Sequence, residues 1–431
     1  MSLIVATVLT LSSSAAKMET DRTWYLAGEA MTVSVTANDA IIAYAELCDT
    51  HGLAAGVVVG LQDGVGRGVV ELPSNLHSGY YVLSVYTRGD SHVSQRLIAV
   101  VNPLHKSADD DIEWVKVTHP DSLSYTETGD RSQETGYTSF NGQRSTVNER
   151  ETEGHIIKAR IRNVSDGHSF RGDQICPSLG IVGKQIHYFE GKMVGDTMAV
   201  FYTFGIHGKQ PLVLSAMTST GVSLPIEMIS PFATLLPQRL PHLVFHYQRS
   251  EVEARSLDMQ RHQKAIAPAK REIKLGDLSD ETAEDVVPLE YDETVFSIKP
   301  DLSYNLDEYR QFLTIREVLL EYVLFVSKKK VNGVSRLVVR GEQDDYNTTL
   351  PTLVLIDGMP VFDVERLLNY DARRVHYINI YGGQYTFGNS VYNGILSFVT
   401  RSGRLTNYPI ERNMQYLVYE FPEDLSRARV R

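Results

Sequence analysis

The run from Leu353 to Gly403, LVLIDGMPVFDVERLLNYDARRVHYINIYGGQYTFGNSVYNGILSFVTRSG, constrains what this chain can fold into more than any other stretch. An apolar segment, Leu353 to Ile356, stops at Asp357-Gly358, a turn dipeptide. Val364, Leu367 and Leu368 then recur at helical spacing. From Val375 to Ile380 the chain has the period of a strand: Val375, Tyr377 and Asn379 alternate with His376, Ile378 and Ile380. A loop rich in glycine and aromatics, with Gly382, Gly383, Tyr385, Phe387 and Gly388, leads to a third strand, Gly394 to Thr400, closed by Arg401-Ser402-Gly403. Short strands ended by glycine predict a small α/β unit. Gly358 is expected at positive φ, and Gly388 and Gly394 where backbone passes close to backbone. No nucleophile in the run pairs with an obvious base, so it reads as a structural or docking module, not a catalytic one.

These residues resemble the plug domain of TonB-dependent outer-membrane receptors of Gram-negative bacteria. In that family a strand ends in Ile-Asp-Gly, a small apolar residue and Pro. A V..I.V strand comes next, then YG…NG-I-x-I-T-(K/R)-x-G. This chain has Ile356-Asp357-Gly358-Met359-Pro360, Val375 to Ile380, Phe387-Gly388-Asn389, Asn393-Gly394-Ile395 and Val399-Thr400-Arg401-Ser402-Gly403. Upstream, Val338-Val339-Arg340-Gly341 resembles the end of an earlier plug strand. The resemblance implies that Arg340, Gly341, Asp357, Gly358, Pro360, Gly388, Asn393, Gly394, Thr400 and Gly403 form a structural motif. It implies no catalytic, cofactor-binding or metal-binding residue. A receptor barrel of about 22 strands at roughly ten residues each needs more than about 200 further residues. Beyond Thr400 this chain has Arg401 to Arg431, so the expectation is a plug-like unit without a barrel of its own.

At 431 residues, two to four domains are expected, and 42% hydrophobic residues allow each a core. The 53 acidic against 42 basic residues give a net charge of −11, which argues against nucleic acid and against a broad cationic surface for anionic lipid. Twenty-three tyrosines suit a sheet-rich protein. The two cysteines, Cys48 and Cys176, fall in different expected domains, without CxxC or Cys/His ligand spacing. Two buried thiols are the default, and a disulfide between them is left open. At the N-terminus Leu3 to Leu11 is an h-region-like apolar run, and Ser14-Ala15-Ala16 resembles a cleavage site, but no charged n-region precedes it. Residues 1–16 are therefore a signal-peptide remnant or a strand. No stretch reaches the ~18 apolar residues of a membrane helix, and no Cys follows the h-region to carry a lipid anchor.

Residues 17–103 read as a β-sandwich: Met31, Val33 and Val35 alternate, and further strands fall at Ile41 to Cys48, Gly79 to Tyr86 and Arg96 to Val101. Thr20-Asp21-Arg22, Tyr25-Leu26-Ala27-Gly28-Glu29, Leu72-Pro73 and Ser78-Gly79-Tyr80-Tyr81 resemble a macroglobulin-type domain. The thioester of that family needs Cys-Gly-Glu-Gln. The nearest string here is Arg340-Gly341-Glu342-Gln343, and an arginine cannot form the thioester.

Residues 104–154 are a polar linker with an edge strand at Trp114 to Val117, and Asp109-Asp110-Asp111 reads as a solvated run rather than a cation site. Residues 155–247 read as a second sandwich, and EGHIIKARI resembles the carboxypeptidase-regulatory type, which has no peptidase chemistry. His242 and His246 sit in an extended run beside Pro241, without a third ligand. A helix from Ser250 to Lys264, with a capping box to Glu253 and a Glu251–Arg255 pair, opens a connection over 248–300. The plug-like domain takes 301–405, with helix starts at Asn305/Glu308 and Thr314/Glu317, the second helix ending at Lys328-Lys329-Lys330. Residues 406–431 are a tail.

The fold class expected is mainly β and multidomain: immunoglobulin-like sandwiches, macroglobulin-type and carboxypeptidase-regulatory-like, followed by an α/β plug-like domain. The function expected is a non-enzymatic accessory or scaffold in the periplasm or at the outer membrane of a Gram-negative cell. It binds a protein partner, such as a TonB-dependent receptor, through strand edges, with no cofactor and no nucleic acid. The alternative is a soluble glycan- or peptide-binding protein.

Overall fold

A computed structural model describes residues 16–115, 151–162, 174–266, 291–340, 350–387 and 390–422, apart from 39, 90–91, 152–153, 219–221, 296–297, 332 and 406. The chain divides into two compact units, one of Met1–Gly154 with Phe232–Lys270 and Pro422–Arg431, the other of His155–Pro231 with Arg271–Phe421.

The first unit opens with strands β1 (Lys17–Thr20), β2 (Trp24–Leu26), β3 (Ala30–Thr36), β4 (Ile42–Cys48), β5 (Leu53–Gly60), β6 (Val65–Glu71), β7 (Gly79–Tyr86) and β8 (Ser94–Val101), then a single turn α1 (Ala108–Asp111) and β9 (Ile112–Trp114). Two sheets, β1-β3-β6 and β2-β8-β7-β4-β5, form a sandwich. The alternation seen in the sequence buries Met31, Val33 and Val35 against Ala43, Ala45, Leu47, Leu83 and Ile98. All seven residues of β4 are buried, so this strand is covered on both faces.

The second unit begins with a second sandwich: β10 (His155–Ile161), β11 (Ile175–Ile181), β12 (His187–Glu190), β13 (Lys192–Val194), β14 (Met198–Thr203), β15 (Gly208–Thr218) and β16 (Ile226–Ile229). The chain then returns to the first unit. There β17 (Leu243–Phe245) pairs in parallel with β9, and α2 (Arg249–Ile266) comes next. Leu243, Phe245 and Val252 cover Leu26, Ala99 and Val101 on the outer face of the five-stranded sheet. Phe232 and Leu235 pack on Tyr44, Val58 and Tyr86 on that face as well. Glu46 is fully buried there and accepts the backbone N–H of Thr234 (3.0 Å) and of Leu235 (2.5 Å). Residues 232–247, expected from the sequence to belong to the second sandwich, instead line the first. His242 and His246 flank β17 and are exposed, while Leu243 and Phe245 point inward. The expected Glu251–Arg255 pair is replaced by Arg249–Glu253 and by Arg255–Glu29, because Arg255 turns toward the sandwich.

The rest of the second unit comprises β18 (Leu302–Asn305), a 3-10 turn (Leu306–Glu308), α3 (Ile315–Glu321), β19 (Val326–Val331), β20 (Val334–Val339), β21 (Leu353–Ile356), β22 (Met359–Pro360), α4 (Val364–Leu368), a second 3-10 turn (Ala372–Arg374), β23 (Val375–Phe387), β24 (Ser390–Thr400) and β25 (Gln415–Phe421). Five strands form one sheet in the order β18-β23-β24-β21-β22, with β21 parallel to β24, while β19 and β20 make a separate hairpin. Asn305 and Thr314 cap their turns as the sequence predicted, Thr314 with a complete capping box to Glu317.

Three expectations for this unit are corrected. The segment taken as a glycine-rich loop continues β23 to Phe387: Tyr381 and Phe387 are buried with Ile186 and Tyr188, and the glycines only make a bulge, between Tyr381 and Gln384. Lys328-Lys329-Lys330 do not end a helix; they lie in β19, because α3 stops at Glu321 and Phe325 reverses the chain at φ +64°. The supposed tail supplies β25, which pairs with β15 from Leu214↔Gln415 to Gly208↔Phe421 and places Tyr419 and Phe421 in the second core. The second sandwich therefore has sheets β13-β14-β10-β16 and β12-β11-β15-β25, and the α/β sheet is inserted between its last two strands.

Candidate functional site

The described motif residues gather around two knots in the α/β part of the second unit. The first is built on the β21–β22 hairpin, whose two-residue turn has Asp357 at φ +46° and Gly358 at φ +84°. Both central residues at positive φ is the geometry for which Asp-Gly is favoured. The Asp357 carboxylate, 1% exposed, accepts the backbone N–H of Thr400 (2.7 Å), the Thr400 hydroxyl (2.5 Å) and the N–H of Leu405 (2.9 Å). Gly403 sits at φ +67° and donates its N–H to Thr400 Oγ1 at 3.0 Å, closing the turn after β24. Burial pushes the Asp357 carboxyl up to about 6, while the Thr400 and Leu405 donors and the Lys184 charge draw it down.

The same turn docks on the second sandwich. A Cβ on Gly358 would overlap the Ile181 carbonyl, one on Gly180 would overlap the Gly358 carbonyl, and Gly183 N–H donates to Asp357 O at 3.0 Å. Gly358 thus answers two demands, positive φ and close backbone approach. Pro360 lies next door in β22, opposite Leu355.

The second knot holds Asn393 and Gly394 in β24. Asn393 N–H donates to Pro351 O (2.8 Å) and its side chain reaches Val339 O (3.4 Å); Thr352 Oγ1 donates to Asn393 O (2.8 Å). Gly394, at φ +80°, leaves room for the Val339 side chain. Arg340 follows β20, exposed, and its N–H donates to Phe325 O at 2.7 Å. Gly341 and Gly388 lie outside the described residues. The described motif residues therefore tie strand ends together, through close backbone approach at Gly358 and Gly394 and through the Asp357, Thr400 and Asn393 side chains.

What the motif holds up is the β19–β20 hairpin and the turn that enters it. Leu324 and Phe325 are 60% and 45% exposed, and Leu313, Leu320 and Val334 nearby in sequence are exposed as well. A bulky residue at positive φ is costly, on the order of 1–3 kcal/mol, and Phe325 is held there from both sides. Leu324 N–H donates to Tyr304 Oη at 2.9 Å, and Phe325 O accepts from Arg340. Tyr309 and Tyr322 stack on each other, with centroids 4.5 Å apart. On the other side Glu365 of α4 accepts from Lys328 of β19, from Ser335 Oγ of β20 (2.5 Å) and from Arg316 of α3 (2.8 Å). Lys328 foremost, then Ser335 and Arg316, hold the Glu365 carboxyl down to about 2. Among the described residues β19 pairs only with β20, so its outer edge offers unpaired backbone groups beside the exposed Lys329 and Lys330. Sequence reasoning missed Leu324, Phe325 and Glu365, because the charged run after α3 read as a helix end.

Both thiols are free, and burial pushes each up, Cys48 to about 12, so neither is poised as a nucleophile. No helix among the described residues is long and apolar enough to cross a membrane.

No family model and no curated protein matches the sequence. Solved structures similar to parts of it include trypsin-activated α2-macroglobulin of Escherichia coli, at 12% identity over 51% of this chain and 16% of that one, TM-score 0.19. The same protein activated by porcine elastase is similar at 12% identity over 52% and 20%, TM-score 0.18. Fibronectin(III)-like modules of Clostridium thermocellum CbhA are similar at 10% identity over 54% and 100%, TM-score 0.14. The likeness thus takes in a fifth or less of the macroglobulin chains. With scores this low, the assignment as a mainly β, multidomain sandwich protein rests on the sheets themselves.

Proposed function

We propose that this chain is a non-enzymatic docking protein of the Gram-negative cell envelope that works in or near a TonB-linked outer-membrane uptake system. The observation that carries the docking role is the Leu324–Phe325 turn, two exposed apolar side chains with Phe325 held in a costly backbone conformation, at the entry to an open-edged hairpin. An unstrained polar turn would serve folding better. Strain kept at an exposed apolar turn is what a binding surface uses.

The occupant is an extended protein segment that adds a strand to the β19 edge, seats apolar side chains on Leu324 and Phe325, and carries acidic residues opposite Lys329 and Lys330. The envelope setting and the receptor partner rest on the plug-like motif around Asp357 and Thr400. A pull-down from envelope extract with the full chain tests this. Recovery of a TonB-dependent receptor that is lost with Leu324→Ser/Phe325→Ser supports the reading. Equal recovery by both chains, or no envelope protein at all, contradicts it. Thermal shift by glycans or peptides, unaffected by the same pair of substitutions, would favour the ligand-binding alternative.

A further inference from the structure

The first unit holds a second cluster that the docking reading does not use. His77 lies between β6 and β7, His105 follows β8, and Asp111 ends α1. Their ligand-type atoms all lie within 4.8 Å of one another. His77 Nδ1 is 3.5 Å from Asp111 Oδ2, near the ~3.3 Å edge of a tetrahedron with metal–ligand bonds of about 2.0–2.1 Å. The two imidazole rings lie 4.3 Å apart between centroids, tilted by 59°.

One hydroxyl sits among the three groups. Ser107 Oγ donates to Asp111 Oδ2 and lies 2.8 Å from His105 Nδ1 and 3.2 Å from His77 Nδ1. The backbone N–H of Ser107 donates to His105 Nδ1 at 3.3 Å, so that nitrogen presents a lone pair, not a proton. Ser107 gives its one hydroxyl proton to Asp111 and its N–H to His105 Nδ1, and His77 Nδ1 pairs with Ser107 Oγ as donor or acceptor according to its tautomer. A cation in place of the hydroxyl would be met by Nδ1 of both rings and by the Asp111 carboxylate, each ring then carrying its proton on Nε2.

The backbone under the cluster is already fixed. Asn102 joins the two loops: its side chain donates to Ser74 O (3.2 Å) and Leu76 O (2.9 Å), and its N–H to Ser78 Oγ (2.8 Å). Tyr81 Oη donates to His77 O at 3.0 Å, and Asp111 N–H to Ser107 O at 2.8 Å. Closing the ligands on an ion then needs rotamer changes of Ser107 and the rings, not a new loop path.

We propose that His77, His105 and Asp111 form a binding site for a divalent transition-metal ion of the zinc class, with two imidazoles and one carboxylate as protein ligands. Two neutral nitrogens with one carboxylate suit Zn²⁺ and its neighbours rather than Ca²⁺ or Mg²⁺, which take oxygen. His77 has a side chain 65% exposed, so the remaining coordination position faces solvent. The ion would staple the β6–β7 loop to the segment after β8. The site is independent of the hairpin in the other unit, so either proposal stands if the other fails.

The test is titration of the chelator-treated full chain with Co²⁺ and, by calorimetry, with Zn²⁺. The expected result is one equivalent bound, an intense visible Co²⁺ band typical of low coordination number, and Zn²⁺ affinity reduced about 10–100-fold or more in His77→Ala and His105→Ala. His242→Ala/His246→Ala is expected to bind as the parent does. The parent's Co²⁺ spectrum requires no variant to fold. A hexaaqua-like spectrum with no saturable Zn²⁺ binding, or binding unchanged in folded His77→Ala/His105→Ala, overturns the proposal.

Discussion

Asp357 and Thr400 are joined by two hydrogen bonds, from the Thr400 N–H at 2.7 Å and from its hydroxyl at 2.5 Å, and through them the turn after β21 is locked to the end of β24. The hydroxyl supports a buried charge, and hydrogen bonds to charged groups contribute about 1.5–3 kcal/mol. Thr400→Val keeps the shape and removes the donor. It is expected to cost about 2 kcal/mol at pH 7 by urea unfolding, and less at pH 4, where the carboxyl is neutral.

The titration of Asp357 has a definite sign. Its carboxyl is raised by burial from 3.8 to about 6 in the folded chain, so between those values the native state holds a proton that the unfolded state has released. Stability from this group is therefore greatest below about pH 4, and it falls as pH rises to about 6, by on the order of 3 kcal/mol. Asp357→Asn cannot ionise. The difference in unfolding free energy, parent minus Asp357→Asn, is expected to decline across pH 4 to 6 and to be level above; a difference that rises with pH contradicts the assignment.

Glu365 acts in the opposite direction and elsewhere. Its carboxyl is held at about 2 by Lys328, Ser335 and Arg316, so its bonds persist above the ordinary glutamate range and are lost only as pH falls toward 2. Glu365→Ala releases the β19–β20 hairpin from α3 and α4. Amide hydrogens of Val326 to Val339 are expected to exchange faster, with no change in β10 to β16, by hydrogen exchange with mass spectrometry.

Phe421 is 1% exposed in the second core, although it lies close to the end of the described chain. Phe421→Ala is expected to destabilise the second unit by about 3–5 kcal/mol, read as a lower unfolding midpoint. A dispensable tail would show no change.

What could be read in advance was local. The strand Leu353–Ile356, the Asp357-Gly358 turn and the Thr314 capping box depend on neighbours within a few residues, and the structure has them where the sequence put them. What could not be read depends on distant partners. Gly382 to Phe387 looked like a loop because Tyr188, which buries Phe387, comes almost two hundred positions earlier. β25 looked like a tail because its partner β15 precedes the inserted sheet. Asp357 read as a turn residue, and only the pairing of β21 with β24 brings Thr400 and Leu405 to its carboxylate. His77, His105 and Asp111 share no helical or paired spacing, and they meet because Asn102 ties one loop to the other.

The docking surface is tested most directly by a photo-crosslinking amino acid placed at Phe325 of the full chain in Gram-negative cells, with Val65 of the first unit, also exposed, as the control position. The account predicts a discrete crosslinked species from position 325, containing an outer-membrane TonB-dependent receptor and absent from position 65. Crosslinks of equal yield and pattern at both positions, or none at 325 while the chain is folded and present in the envelope fraction, would contradict it.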